Sequence, residues 1–174
     1  MAKSGILALD LATRIGWAYV PTVGDEPRSG VKQLPVGARG IGHFLDEAEQ
    51  WVVSVCEVMG PETVVFEAPF VGPAGRANLD TARKLLGLAC IAELVCFRKG
   101  ITVYEQHNAT VKKWFAGHGR ADKAAMIAAC RKHGWNPSDD NEADALALLA
   151  YSMALFHPGS RYARSGLVQA AAPN

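Results

Sequence analysis

A carboxylate inside the first apolar run constrains this chain more than any other feature. The run is ILALDLATRIGWAYV, residues 6–20, and it reads as the opening strand. Ile6, Leu7, Ala8, Leu9 and Leu11 form a short, nearly continuous apolar segment of the kind a sheet buries on both faces. Asp10 lies within it and loses hydration unless a donor, a cation or a metal compensates. Two readings stay open here. Asp10 is either a turn residue bonded to neighbouring backbone amides, or a site carboxylate whose partners come from elsewhere in the chain.

The same situation recurs further on. Thr63, Val64, Val65 and Phe66 make a second buried, β-branched strand that runs directly into Glu67, and Pro69 then ends regular pairing. Between the two lie a Pro- and Gly-rich connection, a short strand near residues 30–34, and a helix over 41–59. That helix has its apolar residues three and four apart and is stopped by Gly60-Pro61. LDTARKLLGLACIAELVCFRKG is a helix apolar almost all round, which needs cover on more than one side. The sheet is one cover, and a second subunit or the rest of the chain is the other. ITVYEQ is a further strand, so strands and helices alternate as in an α/β layer with parallel pairings.

The 174 residues suit one domain, 1–157, followed by a flexible tail, 158–174. Two lobes around a nucleotide cleft, as in actin-like ATPases and sugar kinases, do not fit that length. The longest apolar stretch is interrupted by Glu93 and too short to span a bilayer, and MAKSG leads into a strand with no hydrophobic leader. The expected location is therefore cytoplasmic (nucleoid or phage-infected cell), not secreted or membrane-bound. Cys56, Cys90, Cys96 and Cys130 lack metal-ligand spacing and read as reduced core residues.

Net charge is only +1, but it is unevenly distributed. Eight Lys and Arg lie between Arg98 and Lys132 against two acids, while residues 136–150 carry Asp139, Asp140, Glu142 and Asp144 with no basic residue. A basic segment beside an acidic one suits a phosphodiester enzyme, in which cations hold the backbone and carboxylates hold metal. Asp140 and Asp144 are four apart and share a helix face. With Asp10 and Glu67 they make an all-oxygen set, which prefers Mg²⁺ or Mn²⁺ to Zn²⁺. Acids in the first turn of a helix are also favoured by its dipole alone, a reading that covers Asp139 and Asp140 better than Asp144.

ILALDLATRIGWAYV, VVFEAPF and NPSDDNEADALALLAY together resemble the three acidic segments of the RuvC family of Holliday junction resolvases. VKKWFAGHGRADKAAM resembles that family's basic segment, with Lys112 and Lys123 in the places of its functional lysines, and ARKLLGLACIAELV resembles its subunit-joining helix. The resemblance runs to about Phe156. It implies a ribonuclease H-like α/β fold, a five-stranded mixed β-sheet flanked by α-helices on both faces. It also implies a homodimeric endodeoxyribonuclease with two Mg²⁺ per active site, Mn²⁺ substituting, that resolves four-way junctions in branched DNA by paired nicks.

By position in that resemblance, Asp10, Glu67 and Asp144 are the expected metal ligands; Asp140, one residue off the family's place but on the same helix face, is expected to join them, and these four with Lys112 and Lys123 are the expected catalytic residues. Phe70 takes the place of an aromatic that stacks on an unpaired base, and Arg76, Asn78, Lys113 and Arg120 are expected DNA contacts beside the two lysines. The family's last two acids stand three apart, whereas the residue three before Asp144 is Asn141. Asp139, Asp140 and Asn141 therefore all remain open as the fourth contact. The loop after Asp10 is also one residue shorter and lacks the family's Pro-Gly pair, as in a divergent, phage-type branch. A flap or RNA/DNA-hybrid nuclease on the same fold, or a non-catalytic junction-binding protein, are the alternatives.

Overall fold

The opening run folds as a hairpin of two strands, β1 (Ile6–Asp10) and β2 (Arg14–Val20), and not as a single strand. Nothing in Leu11-Ala12-Thr13 carries Gly or Pro punctuation, which is why the turn is silent in the sequence. The strands pair antiparallel, Ile6 opposite Val20 and Asp10 opposite Gly16. In the computed structural model, residues 5–37, 39–70 and 78–163 are described. The remaining elements are β3 (Arg28–Gln33), α1 (Gly40–Met59), β4 (Thr63–Glu67), α2 (Leu79–Lys99), β5 (Thr102–Gln106), α3 (Asn108–Ala116), α4 (Lys123–Lys132) and α5 (Asp140–Phe156).

The sheet order is β3-β2-β1-β4-β5, with β1–β2 and β2–β3 antiparallel and β1–β4 and β4–β5 parallel. Strand side chains alternate between faces, and here the alternation separates two cores. Ile6, Ala8, Ala18, Val20 and Val65 pack with residues of α3, α4 and α5. Leu7, Leu9, Ile15, Tyr19, Val64 and Phe66 pack with α1 and α2. Asp10 continues the Ile6–Ala8 series and Glu67 the Val65 series, so both acids belong to the α5 face. Leu9 lies beside Phe66 in the parallel pairing, which leaves Asp10 and Glu67 side by side at the ends of adjacent strands.

The sheet's central cover is α5, whose Leu146, Leu148, Leu149 and Met153 are fully buried. Each such side chain contributes about 1.5–3 kcal/mol on removal from water. The helix reaches the sheet because β2 has glycine at position 16. A Cβ there would stand 1.9 Å from the Asn141 carbonyl oxygen.

On the other face, α2 buries Leu88, Ala92, Val95 and Cys96 and leaves Leu79, Leu86, Leu94 and Phe97 exposed. Cys90 is exposed too, which corrects the expectation of four core cysteines; Cys56, Cys96 and Cys130 are buried. Helical spacing puts Cys90 on the outward stripe with Leu86 and Phe97. Of the expected tail, residues 164–174 lie outside the described residues. Residues 158–163 turn back onto the core, with Tyr162 buried 5.8 Å from the Trp135 ring and 6.1 Å from His133. Aromatic contacts hold this segment despite its Pro-Gly-Ser composition. Among the described residues, no helix is long and apolar enough to cross a membrane.

Candidate active site

The ends of β1 and β4 supply Asp10 and Glu67, and the first turns of α5 bring Asp140 and Asp144 to the same place. The sign of their interaction is repulsive. Burial pushes the Asp10 carboxyl well above the usual carboxylate range, and the charges of Glu67, Asp144 and Asp140 push it further, with Lys112 opposing. Burial also raises Glu67 to about 7, an amide donor from Asn108 pulling it back and Asp144 adding to the rise. Asp144 is raised by burial, against the pull of Lys112. Groups that titrate against one another in this way share one electrostatic site.

Two lysines reach into the cluster from α3 and α4. Lys112 Nζ lies 3.3 Å from Asp144 Oδ2, with both side chains largely covered. Lys123 Nζ lies 2.5 Å from Asp140 Oδ2, although the lysine itself is exposed. Asp122 caps α4, its side chain accepting from the Ala125 N–H, and so fixes where Lys123 starts the helix.

Two buried carboxylate oxygens have no hydrogen-bond partner among the described residues, Glu67 Oε1 and Asp144 Oδ1. A buried anion without donors is costly, and a hard divalent cation could supply what these oxygens lack. The donor set, carboxylate oxygen without sulfur or imidazole, fits Mg²⁺ or Mn²⁺. Among the described residues no three His, Cys, Asp or Glu side chains converge tightly enough to hold a metal as they stand.

The acids before Asp144 have separate duties. Asp139 caps α5, accepting from the Glu142 N–H at 2.9 Å, and pairs with Arg14 at 2.5 Å. Asn141 has its backbone carbonyl against Gly16. Asp140 is the member of the three whose charge is felt at both Asp10 and Asp144.

A groove of about 970 Å³ opens over Asp10 and Glu67, its walls including Phe70, His107, Asn108 and Arg120. Phe70 is 82% exposed, its ring available to a ligand. Lys113 is exposed on α3 without an ion pair among the described residues. Asn78 caps α2, its side-chain oxygen accepting from the Asp80 N–H at 3.0 Å. Arg76 lies outside the described residues.

Sequence reasoning missed Gly16, Arg14 and Asn108. The last donates its side-chain amide to Glu67 Oε2 across 41 residues of sequence. The one available signal was its position just past β5, whose end lies beside that of β4, with Glu67 opposite Gln106.

No family model matches the chain. Among curated proteins, the crossover junction endodeoxyribonuclease RuvC of Streptomyces coelicolor is 33% identical over 143 residues, 78% of this chain and 73% of that protein. The RuvC of Chloroflexus aggregans is 34% identical over 153 residues, 82% of this chain and 88% of that protein. The structure of Thermus thermophilus RuvC in complex with Holliday junction substrate superposes with a TM-score of 0.68 at 23% identity, covering 83% of this chain and 90% of that one. The superposition gives the fold, ribonuclease H-like.

Proposed function

The chain belongs to the RuvC family of crossover junction endodeoxyribonucleases, and from that membership we propose that it resolves four-way DNA junctions by paired nicks. The observation that carries the reading is the gathering of Asp10, Glu67, Asp140 and Asp144 at the strand ends, where Glu67 Oε1 and Asp144 Oδ1 are buried without a hydrogen-bond partner among the described residues. Evolving a stable fold would not by itself gather buried like charges; a cation-dependent reaction requires it. Asp10, Glu67, Asp140 and Asp144 would hold two Mg²⁺, with Mn²⁺ substituting. The chemistry such ions would supply when bound is activation of a water and stabilisation of the leaving oxygen in an in-line displacement.

The chain's own groups do the rest. Asp10 and Glu67 are anchored on the two central parallel strands, so the scissile phosphate meets a rigid floor. Lys112 is held by Asp144 and places positive charge beside the phosphate, where charge develops in the transition state. Lys123, exposed at the head of α4, reaches the same phosphate or its neighbour. Lys113 and Arg120 bind the DNA backbone, which makes affinity fall steeply with salt. Phe70 stacks on a base unpaired at the crossover, a contact worth about 1–3 kcal/mol. Arg76, outside the described residues, and Asn78, which also caps α2, are the further DNA contacts of this reading.

Paired nicking needs two sites. The outward stripe of α2, with Leu79, Leu86, Leu94 and Phe97 exposed, supports a homodimer contact there. The protein then acts in the cytoplasm, at the nucleoid or in a phage-infected cell.

The test offers the protein a synthetic four-way junction, a flap, an RNA/DNA hybrid and a linear duplex with Mg²⁺, beside Asp10→Asn. Symmetric nicks in the junction alone, lost in Asp10→Asn while junction binding persists, are the expected result. Equal cutting of the hybrid or flap, or no metal-dependent cutting, overturns the reading.

A further inference from the structure

We infer that Asn108 is a positioning residue for Glu67, committing one carboxylate oxygen to an amide so that the other alone faces the cation site. The inference rests on the metal-centre reading above and adds a residue to it. Four observations carry it. The Asn108 side-chain amide donates to Glu67 Oε2, while Glu67 Oε1 is buried and has no partner among the described residues. Both side chains wall the groove that opens over Asp10. The donor also comes from a different element from the acceptor: Glu67 ends β4 and Asn108 is the first residue of α3.

The chemistry of the donor matters. A carboxylate with both oxygens free can rotate about its terminal torsion, whose wells are broad, and would offer a cation either oxygen or both. An amide N–H fixed on Oε2 stops that rotation. It also favours the ionised form that a metal requires, without adding a positive charge that would compete with the metal. A lysine at this position would bring that competing charge. Asn108 is itself held in place, as the opening residue of a helix whose third and fourth residues bond back to the His107 carbonyl at 3.0 and 3.1 Å. Partners that orient a metal ligand in this manner are typically worth about 10–100-fold in affinity or activity.

The experiment is a Mn²⁺ titration followed by the EPR signal of the free ion, on the full chain without DNA. Asn108→Leu keeps the shape and removes the donor, and Asn108→Ala removes the side chain. Both are expected to weaken Mn²⁺ binding about tenfold with thermal unfolding of the metal-free protein close to that of the parent. The decisive arm is a double-mutant cycle with Glu67→Gln, because a residue acting only through Glu67 has nothing left to position there. Asn108→Leu is therefore expected to change Mn²⁺ affinity less than twofold in the Glu67→Gln background. Full additivity of the two substitutions, or parental affinity in both Asn108 variants, overturns the inference. Asp10→Asn, titrated alongside, separates the two levels. If Asp10→Asn binds Mn²⁺ like the parent, the metal-centre reading fails. If it loses binding while the Asn108 variants keep it, only the role of Asn108 fails.

Discussion

Glu142 and Glu67 are both withdrawn from water within one small region, and they resolve their burial in opposite ways. Glu142 accepts from the Ser29 hydroxyl at 2.6 Å, and from the Ser138 hydroxyl and N–H at 2.6 and 2.8 Å. Those donors outweigh the cost of burial and hold its carboxyl below the usual range. Glu67 has one amide donor and an orphan oxygen, and sits at about 7. The amino end of α5 is thus a finished structural joint, sealed further by Asp139 as cap and by Arg14. The cluster at the strand ends is left electrostatically incomplete. Burial alone does not mark a site; burial without satisfaction does.

The strongest way to break this contrast is to damage the joint and watch the cluster. Gly16→Ala puts a Cβ 1.9 Å from the Asn141 carbonyl oxygen and 2.3 Å from its carbon. Backbone cannot yield as a side-chain tip does, so the start of α5 must move. The expected loss is about 3 kcal/mol of stability, an overpacking cost, read by urea unfolding. Junction cleavage under folded conditions should fall about 100-fold, since misplacing reacting groups by about 1 Å is enough. Parental cleavage by a destabilised Gly16→Ala would show that the two regions are independent.

A pH titration sharpens the contrast without mutation, because the two regions have opposite signs. Glu67 binds its proton more tightly folded than unfolded, its value rising from 4.5 to about 7. Between those values the native state holds the extra proton, so stability falls as pH rises and levels off above about 7. The shift corresponds to about 3 kcal/mol, and the raised Asp10 and Asp144 act in the same direction. Glu142 and Asp139 are lowered and do the reverse. Their stabilisation is present above their unfolded values and is lost as pH falls through the folded ones. The metal-free protein should therefore lose melting temperature between about pH 5 and 7, and Glu67→Gln should flatten that slope. Saturating Mg²⁺ should abolish it as well.

A smaller effect is expected at Glu142 itself. Glu142→Gln removes the ionised acceptor of three hydrogen bonds and should cost about 2 kcal/mol in chemical unfolding. Mn²⁺ affinity should stay within twofold of the parent. A large loss of metal binding would move Glu142 from the joint into the site.

One side of this contrast, the carboxylate cluster, was legible in the sequence, whereas the donors around Glu142 were not. Two apolar strands each ending in an acid give Asp10 and Glu67 by the simple cost of burial, and four-residue spacing gives Asp140 with Asp144. Local patterns also found α1, α2 and α5. What stayed hidden was relational. Gly16 looks like any strand glycine until α5 is seen pressed against it, and Asn108 looks like a helix start until β5 is seen delivering it to Glu67. The turn after Asp10 escaped because it lacks Gly and Pro, and the packing of Tyr162 because its neighbours read as tail. Pairings across tens of residues leave no periodic trace.

The finest discrimination concerns which residue stands with Asp144. Asp139 is committed, its oxygens accepting from the Glu142 N–H and from Arg14. Asparagine caps helices as well as aspartate does, so Asp139→Asn keeps the cap and loses only the ion pair, which is exposed on the Arg14 side and of small value. Asn141 has its main chain against Gly16, and its side chain carries no charge to attract a cation. Asp140 instead adds to the repulsion at Asp10 and Asp144 and draws Lys123 to 2.5 Å. Asp140→Asn should weaken Mn²⁺ binding about tenfold, whereas Asp139→Asn and Asn141→Ala should each change it less than twofold. If Asn141→Ala has the larger effect, its amide oxygen is the ligand, and Asp140 serves only to hold Lys123 beside the phosphate.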